Sequence, residues 1–150
     1  MKILIDADAC PVVELAVRTA AKRGLPVILL CDTAHAMNIQ GAQTITVDQG
    51  ADSVDFALVN RVEPGDIVIT QDYGLAAMVL AKGGRPLHHN GMVYTADNID
   101  SLLLGRHIAR KVRSAGGRLK GPARRTKEQD GQFCHALEAL LQADRKTAEP

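Results

Sequence analysis

The sequence predicts an α/β fold: three layers, with a mainly parallel sheet flanked by helices and a helical, basic-loop extension at the C-terminus. Three observations predict it. Runs such as Ile3-Leu4-Ile5 and Val27-Ile28-Leu29-Leu30-Cys31 are apolar at every position, as in strands covered on both faces. Stretches with apolar residues at helical spacing separate these runs, which is the connection that parallel strands need. Acids recur just after the runs, on the rim where open α/β sheets bind ligands.

The elements follow in order. After the strand Ile3-Leu4-Ile5, Pro11 stands where a first helical turn tolerates proline, and Val13, Ala16, Val17 and Ala20 share one helical face before Gly24 ends it. Val27 to Cys31 is the second strand and Thr44-Ile45-Thr46-Val47 the third. Val54, Leu58 and Val62 line one face of a helix from about Ser53 to Val62. Asp66 to Thr70 is the fourth strand, and a helix from Tyr73 to about Lys82 stops at Gly83-Gly84. Arg85 to Tyr94 predicts a short strand or a hairpin around Asn90-Gly91. A helix from about Asn98 to Val112 buries Ile99, Leu102, Leu103 and Ile108, and Gly116 to Thr126 is a flexible basic loop. Phe133, Leu137, Leu140 and Leu141 mark a closing helix. The strand order is not encoded in any of these patterns.

With 150 residues, 46% of them hydrophobic, the chain suits a single domain over residues 1–150 and is not wholesale disordered. Two Phe, two Tyr and no Trp nearly exclude an aromatic platform for stacking single-stranded bases. The formal net charge of +1 hides a division: residues 1–105, the α/β body, sum to −5, residues 106–127 to +9, and residues 128–150 to −3. The middle segment is a basic helix and loop holding Arg106, Arg110, Lys111, Arg113, Arg118, Lys120, Arg124, Arg125 and Lys127 without one acid. The closing helix covers about residues 128–143. Such asymmetry points to a polyanionic partner gripped through its backbone, although helical spacing of Arg106, Arg110 and Arg113 also fits a solvated face.

Cys10, Cys31 and Cys134 are odd in number and lack CxxC spacing, so reduced thiols are expected. An acid follows the three apolar residues after Lys2, unlike a signal peptide, and no apolar run reaches membrane-spanning length; a cytoplasmic protein with no membrane partner is expected. Nothing in the pattern sets an oligomeric state.

The acids carry the chemistry. Asp6 and Asp8 follow the first strand, Asp32 the second, Asp48 the third and Asp72 the fourth, with Asp52 and Asp55 at the next helix start. Close carboxylates repel by roughly 1 kcal/mol or more per pair unless a cation neutralises them. Hard oxygen ligands suit Mg²⁺ or Mn²⁺, the apparatus of phosphodiester hydrolysis, in which no protein nucleophile is needed. Asp72 and Asp52 also fit helix N-caps, Asp66 a turn, and Asp32 and Asp48 loops or ligands alike. The pair Asp6/Asp8 exceeds what capping requires. Asp-x-Asp after a first strand also fits a dehalogenase-type phosphatase with Thr33 and Lys82 as partners. His35, His88, His89 and His107 lack metal spacing, no GxGxxG or P-loop occurs, and no serine sits in a nucleophile elbow.

These residues carry a resemblance. Asp6-Ala7-Asp8-Ala9-Cys10-Pro11-Val12, Val47-Asp48-Gln49-Gly50, Val54-Asp55, Asn60 and Gly65-Asp66-Ile67-Val68-Ile69-Thr70-Gln71-Asp72-Tyr73-Gly74-Leu75-Ala76 resemble the bacterial YaiI/YqxD family. Gly91, Tyr94, Asn98-Ile99, Arg106, Lys120-Gly121-Pro122, Asp130 and Phe133 extend the likeness to about residues 3–141, although Gly131 stands where a basic residue is expected. That family resembles a branch of the PIN-like (NYN/PIN) nucleases, which implies Asp6, Asp55 and Asp72 as metal-binding acids. After the expected fifth strand, His88-His89-Asn90 has no acid where PIN-like domains carry a fourth, and Asp8 is the acid available in its place. The expectation is a metal-dependent nuclease acting on RNA. Asp6, Asp8, Asp55 and Asp72 are its catalytic and metal-binding residues, with Asp48, Asp52 and Asn60 as secondary candidates. Arg106, Arg110, Arg113, Arg118, Lys120, Arg124, Arg125 and Lys127 would contact nucleic acid. Two alternatives stay open: a non-catalytic RNA-binding module, and the small-molecule phosphatase.

Overall fold

A computed structural model describes residues 1–50, 52–118 and 124–148. Among these, five strands form one parallel sheet: β1 (Ile3–Asp6), β2 (Val27–Asp32), β3 (Gln43–Val47), β4 (Ile67–Ile69) and β5 (Arg85–Leu87), in the order β3-β2-β1-β4-β5. The chain runs outward from β1 through β2 to β3, then crosses back to β4 on the other side of β1. The reversal places a crevice at the carboxyl ends of β1 and β4.

Period-two alternation splits each strand between two cores. Ile3 and Ile5, with Leu29, Ile67, Ile69 and Leu87, face α1 (Val13–Ala21) and α5 (Lys127–Ala148), where Val13, Ala16, Val17, Phe133 and Leu137 are buried. Leu4, Leu30 and Val68 face α2 (Ser53–Val59) and α3 (Tyr73–Ala81), meeting Leu58, Leu75 and Val79. A smaller cluster of Ala76, Tyr94 and Ile99 fixes α4 (Ala96–Ser114) on α3. Three layers result, with helices on both faces of the sheet.

The structure refines the sequence-based boundaries. A capping box between Thr95 and Asn98 starts α4 at Ala96, before the expected Asn98. The helix α5 is longer than residues 128–143, and α2 ends at Val59 rather than Val62. Arg85 to Tyr94 is both strand and turn, because β5 is followed by an antiparallel bridge from Leu87 to Val93. Gly91 shapes that turn: its φ is 96°, and a Cβ there would lie 2.7 Å from Gln132 O. Only glycine admits the α5 backbone so close.

Asp66 is structural, as its turn position suggested. It is 1% exposed and accepts from Lys2 N, Glu63 N and Lys2 Nζ, the last at 2.6 Å. Cys10, Cys31 and Cys134 form no disulfide. Among the described residues, no helix is long and apolar enough to cross a membrane.

Candidate functional site

Asp6 ends β1, and Asp72 follows β4, so the two acids flank the crevice at the point of reversal. A cleft of about 420 Å³ opens there, lined by Asp6, Asp8, Ala9, Gln71, Asp72, Tyr73 and Arg106. Thr70, buried between the strand ends, donates its hydroxyl to Asp6 Oδ2 at 2.9 Å and accepts from Asp72 N at 3.0 Å. Tyr94 in turn donates its hydroxyl to Thr70 O at 3.1 Å. Asp72 Oδ1 accepts from Gly74 N and Leu75 N, so the helix-capping and rim readings of this residue hold together.

The electrostatics of the cleft are those of crowded anions. Burial pushes the Asp6 carboxyl up to about 6; the Thr70 hydroxyl opposes this, and the charges of Asp55, Asp8 and Asp72 reinforce it. Asp55, half-buried in the first turn of α2, is likewise pushed up to about 6 by burial, then by Asp72 and Asp52, while Arg106 lowers it. Arg106 supplies a counter-charge: its Nη1 lies 3.3 Å from Asp72 Oδ1. The basic helix α4 therefore sends one residue of its charged face into the acid cleft.

Asp8 lines the cleft and also approaches a second group. Its Oδ1 lies 3.7 Å from His35 Nδ1, which is 2.8 Å from Asp32 Oδ1. Among the described residues, Asp8, Asp32 and His35 offer ligating atoms that all fall within 4.8 Å of one another. Asp6 and Asp72 line the cleft together with Asp8, and Asp55 lies near enough for its charge to act on Asp6, with the repulsion offset in part by Arg106. Of the four acids expected to act as one group, Asp6, Asp8 and Asp72 line one cleft and Asp55 acts on Asp6 through its charge, while Asp8 also approaches Asp32 and His35.

The secondary candidates lie further out. Asp48 is exposed after β3. Asp52 occupies the N-cap position of α2 in a left-handed conformation, φ 62°, but its side chain makes no capping hydrogen bond; it acts on the site through its charge on Asp55. Asn60 is the exposed C-cap of α2, roughly 7.5 Å further along the axis than Asp55, toward the opposite end of the sheet.

Of the basic residues, Arg110, Arg113, Arg118, Arg124 and Lys127 are exposed. Arg125 is anchored, donating to Asp130 Oδ1 at 2.8 Å and to His89 O at 2.9 Å. Lys120, with much of the basic loop, lies outside the described residues. Lys82, the partner a dehalogenase-type phosphatase would need, donates Nζ to Val59 O at the C-terminal end of α3, remote from the rim that carries Asp6. Sequence reasoning passed over Thr70 and His35. The Thr70-Gln71-Asp72 string signalled the first, and the i, i+3 spacing of Asp32 and His35 the second.

Comparison with known proteins gives the chain its relatives. A family model described as "Uncharacterized BCR, YaiI/YqxD family" matches residues 4–143. A "UPF0178 protein" of Exiguobacterium sibiricum is 56% identical over 141 residues, covering 94% of this chain and 96% of that protein. A "UPF0178 protein" of Ruminiclostridium cellulolyticum is 51% identical over 137 residues, covering 91% of this chain and 90% of that one. No solved structure matches the chain. With matches of this extent and identity over nearly its whole length, the chain belongs to the bacterial YaiI/YqxD family.

Proposed function

We propose that the protein is a metal-dependent phosphodiesterase acting on RNA, the reading its likeness to PIN-like nucleases suggests. One observation carries it: Asp6 and Asp72, from adjacent strands, share a cleft into which the basic helix inserts Arg106. The donor set fits a hard divalent ion such as Mg²⁺ or Mn²⁺. Asp6, Asp55 and Asp72 offer oxygen alone, and the raised values of Asp6 and Asp55 reflect burial first and then the neighbouring carboxylates, both of which a bound cation would offset. When bound, such an ion supplies Lewis-acid activation of water and of phosphoryl oxygens.

The chain's own residues do the rest. Thr70 fixes the direction of Asp6, and the backbone N–H groups of Gly74 and Leu75 fix Asp72. Arg106 offers its guanidinium to a phosphate entering beside Asp72, where a bidentate contact suits it. The exposed Arg110, Arg113 and Arg118 extend the positive surface for backbone contacts without base readout.

The test is cleavage of single-stranded RNA with Mn²⁺ by the native chain and by the double variant Asp6→Asn/Asp72→Asn. Activity lost in the variant supports the proposal; equal activity in both overturns it. Salt-dependent RNA binding unaffected by EDTA, with no turnover, would identify a binding module instead.

A further inference from the structure

We propose that the outer face of α4 pairs, antiparallel, with the same face of a second copy of this chain in a two-fold symmetric dimer. The pairing is independent of whether the protein cleaves RNA.

The face begins with an apolar residue on the unexpected side of its helix. Helical spacing predicts Ile108 as buried with Ile99, Leu102 and Leu103, but Ile108 is 52% exposed, and Leu104, one turn before it, is 58% exposed. The packed side of α4 carries Ile99, Leu102, Leu103 and Arg106, and Leu104 and Ile108 stand on the other. Gly105 lies beside them in mid-helix, where glycine costs about 1 kcal/mol against alanine. A Cβ at Gly105 would meet no described atom of its own chain within 4 Å. Packing within one chain therefore explains neither the apolar pair nor the glycine.

The spacing indicates what covers this face. Asp97, Ser101, Leu104, Ile108, Lys111 and Ala115 succeed one another at intervals of four, three, four, three and four, the seam of a paired helix, and all six are exposed. The intervals read the same from either end. In an antiparallel pair Leu104 therefore meets Ile108 of the other copy, Ser101 meets Lys111, and Asp97 meets Ala115. Two symmetry-related apolar layers form at the centre, and every contact is reciprocated, as a two-fold interface requires.

Charge selects the same arrangement. Asp97 lies in the first turn of α4 with Asp100 just after it, and Lys111 and Arg113 lie in the last turn. That order suits the dipole of a single helix, and it also makes the helix complementary to its own reversed copy. In knobs-into-holes packing, Lys111 enters the hole between Asp97, Asp100, Ser101 and Leu104 of the other copy, so each lysine meets two carboxylates. A parallel pair would instead set acid against acid and base against base. None of Asp97, Asp100 and Lys111 forms an ion pair with another described residue of its own chain. A polyanion is the poorer occupant, because the two acids repel it. Arg106 lies about 200° round the helix from Leu104, so the Asp6–Asp72 cleft faces away from the pairing.

Sedimentation velocity of the full chain from about 5 to 500 μM tests this, with half-association expected at about 10–100 μM for one helix pair at the small end of interface size. Ile108→Lys is expected to weaken association at least about tenfold. Lys111→Glu alone, and Asp97→Lys/Asp100→Lys alone, should each stay monomeric. An equimolar mixture of these two should dimerise, because opposite charges then meet at both ends of the seam. The altered residues are exposed, and thermal melting of each variant verifies its fold. A native chain monomeric throughout, a dimer unchanged by Ile108→Lys, or a mixture no more associated than its components overturns the proposal. So does a monomeric native chain whose RNA affinity falls in Lys111→Glu, which gives the face to nucleic acid instead.

Discussion

Asp6 is held by Thr70, whose hydroxyl donates to Oδ2 at 2.9 Å while accepting from the backbone of Asp72 at 3.0 Å. One side chain thus couples the acid of β1 to the acid after β4, and both depend on it.

Thr70→Val keeps the shape and removes both bonds. It leaves the part-buried Asp72 N–H without its acceptor, which costs about 1 kcal/mol in urea unfolding. It also takes away the interaction that lowers Asp6, so the carboxyl rises beyond about 6 and Mn²⁺ affinity at pH 6.5 falls. Thr70→Ser is expected to restore most of both.

Stability without metal depends on pH in an unusual direction. The folded values of Asp6 and Asp55, about 6, lie above their ordinary 3.8, so between these limits the native state holds protons the unfolded chain releases. Their contribution is present below about 4 and is lost as pH rises through about 6. In EDTA, the melting temperature is expected to be lower at pH 7.5 than at pH 5 by about 3 °C or more. Mn²⁺ should recover the difference at pH 7.5; a melting temperature that rises with pH in EDTA would contradict the assignment.

Arg106→Ala removes the cation beside Asp72 and the charge that lowers Asp55. RNA affinity should fall uniformly across sequences, and the dependence of log K on log salt should become shallower by about one. Filter binding at several salt concentrations reads both. Arg106→Lys is expected to recover the charge but not a bidentate grip.

Asp66→Ala breaks a pair whose side chains are 2% and 19% exposed at Asp66 and Lys2. Chemical unfolding should show a loss of about 3–5 kcal/mol. Metal binding by the folded fraction should not change, because Asp66 precedes β4 at the opposite end from the cleft.

The fold was legible where burial leaves a mark on composition. Ile3-Leu4-Ile5 and Ile67-Val68-Ile69 are apolar on both faces because helices cover both. Asp6 and Asp72 were legible as strand-end acids, and Asp66 as a turn residue. Arg106 was legible as charge but not as a cleft residue, since its reach depends on how α4 packs on α3. The association of Asp8 with Asp32 and His35 was hidden for a similar reason. It follows from β2 lying beside β1, and the strand order is set by how cores are shared between elements, a property no local pattern records.

Arg106 at Asp72 and Arg125 at His89 O also fix the two ends of the basic segment to the body. A charged tail free at one end must surrender its wandering when it meets a polyanion, and that loss offsets part of the attraction. Here Arg106 and Arg125 are already held, so the ordering of these two side chains is spent in folding. Arg106 and Arg125 thus act as the two clasps of a handle, each tied to the body by its own guanidinium.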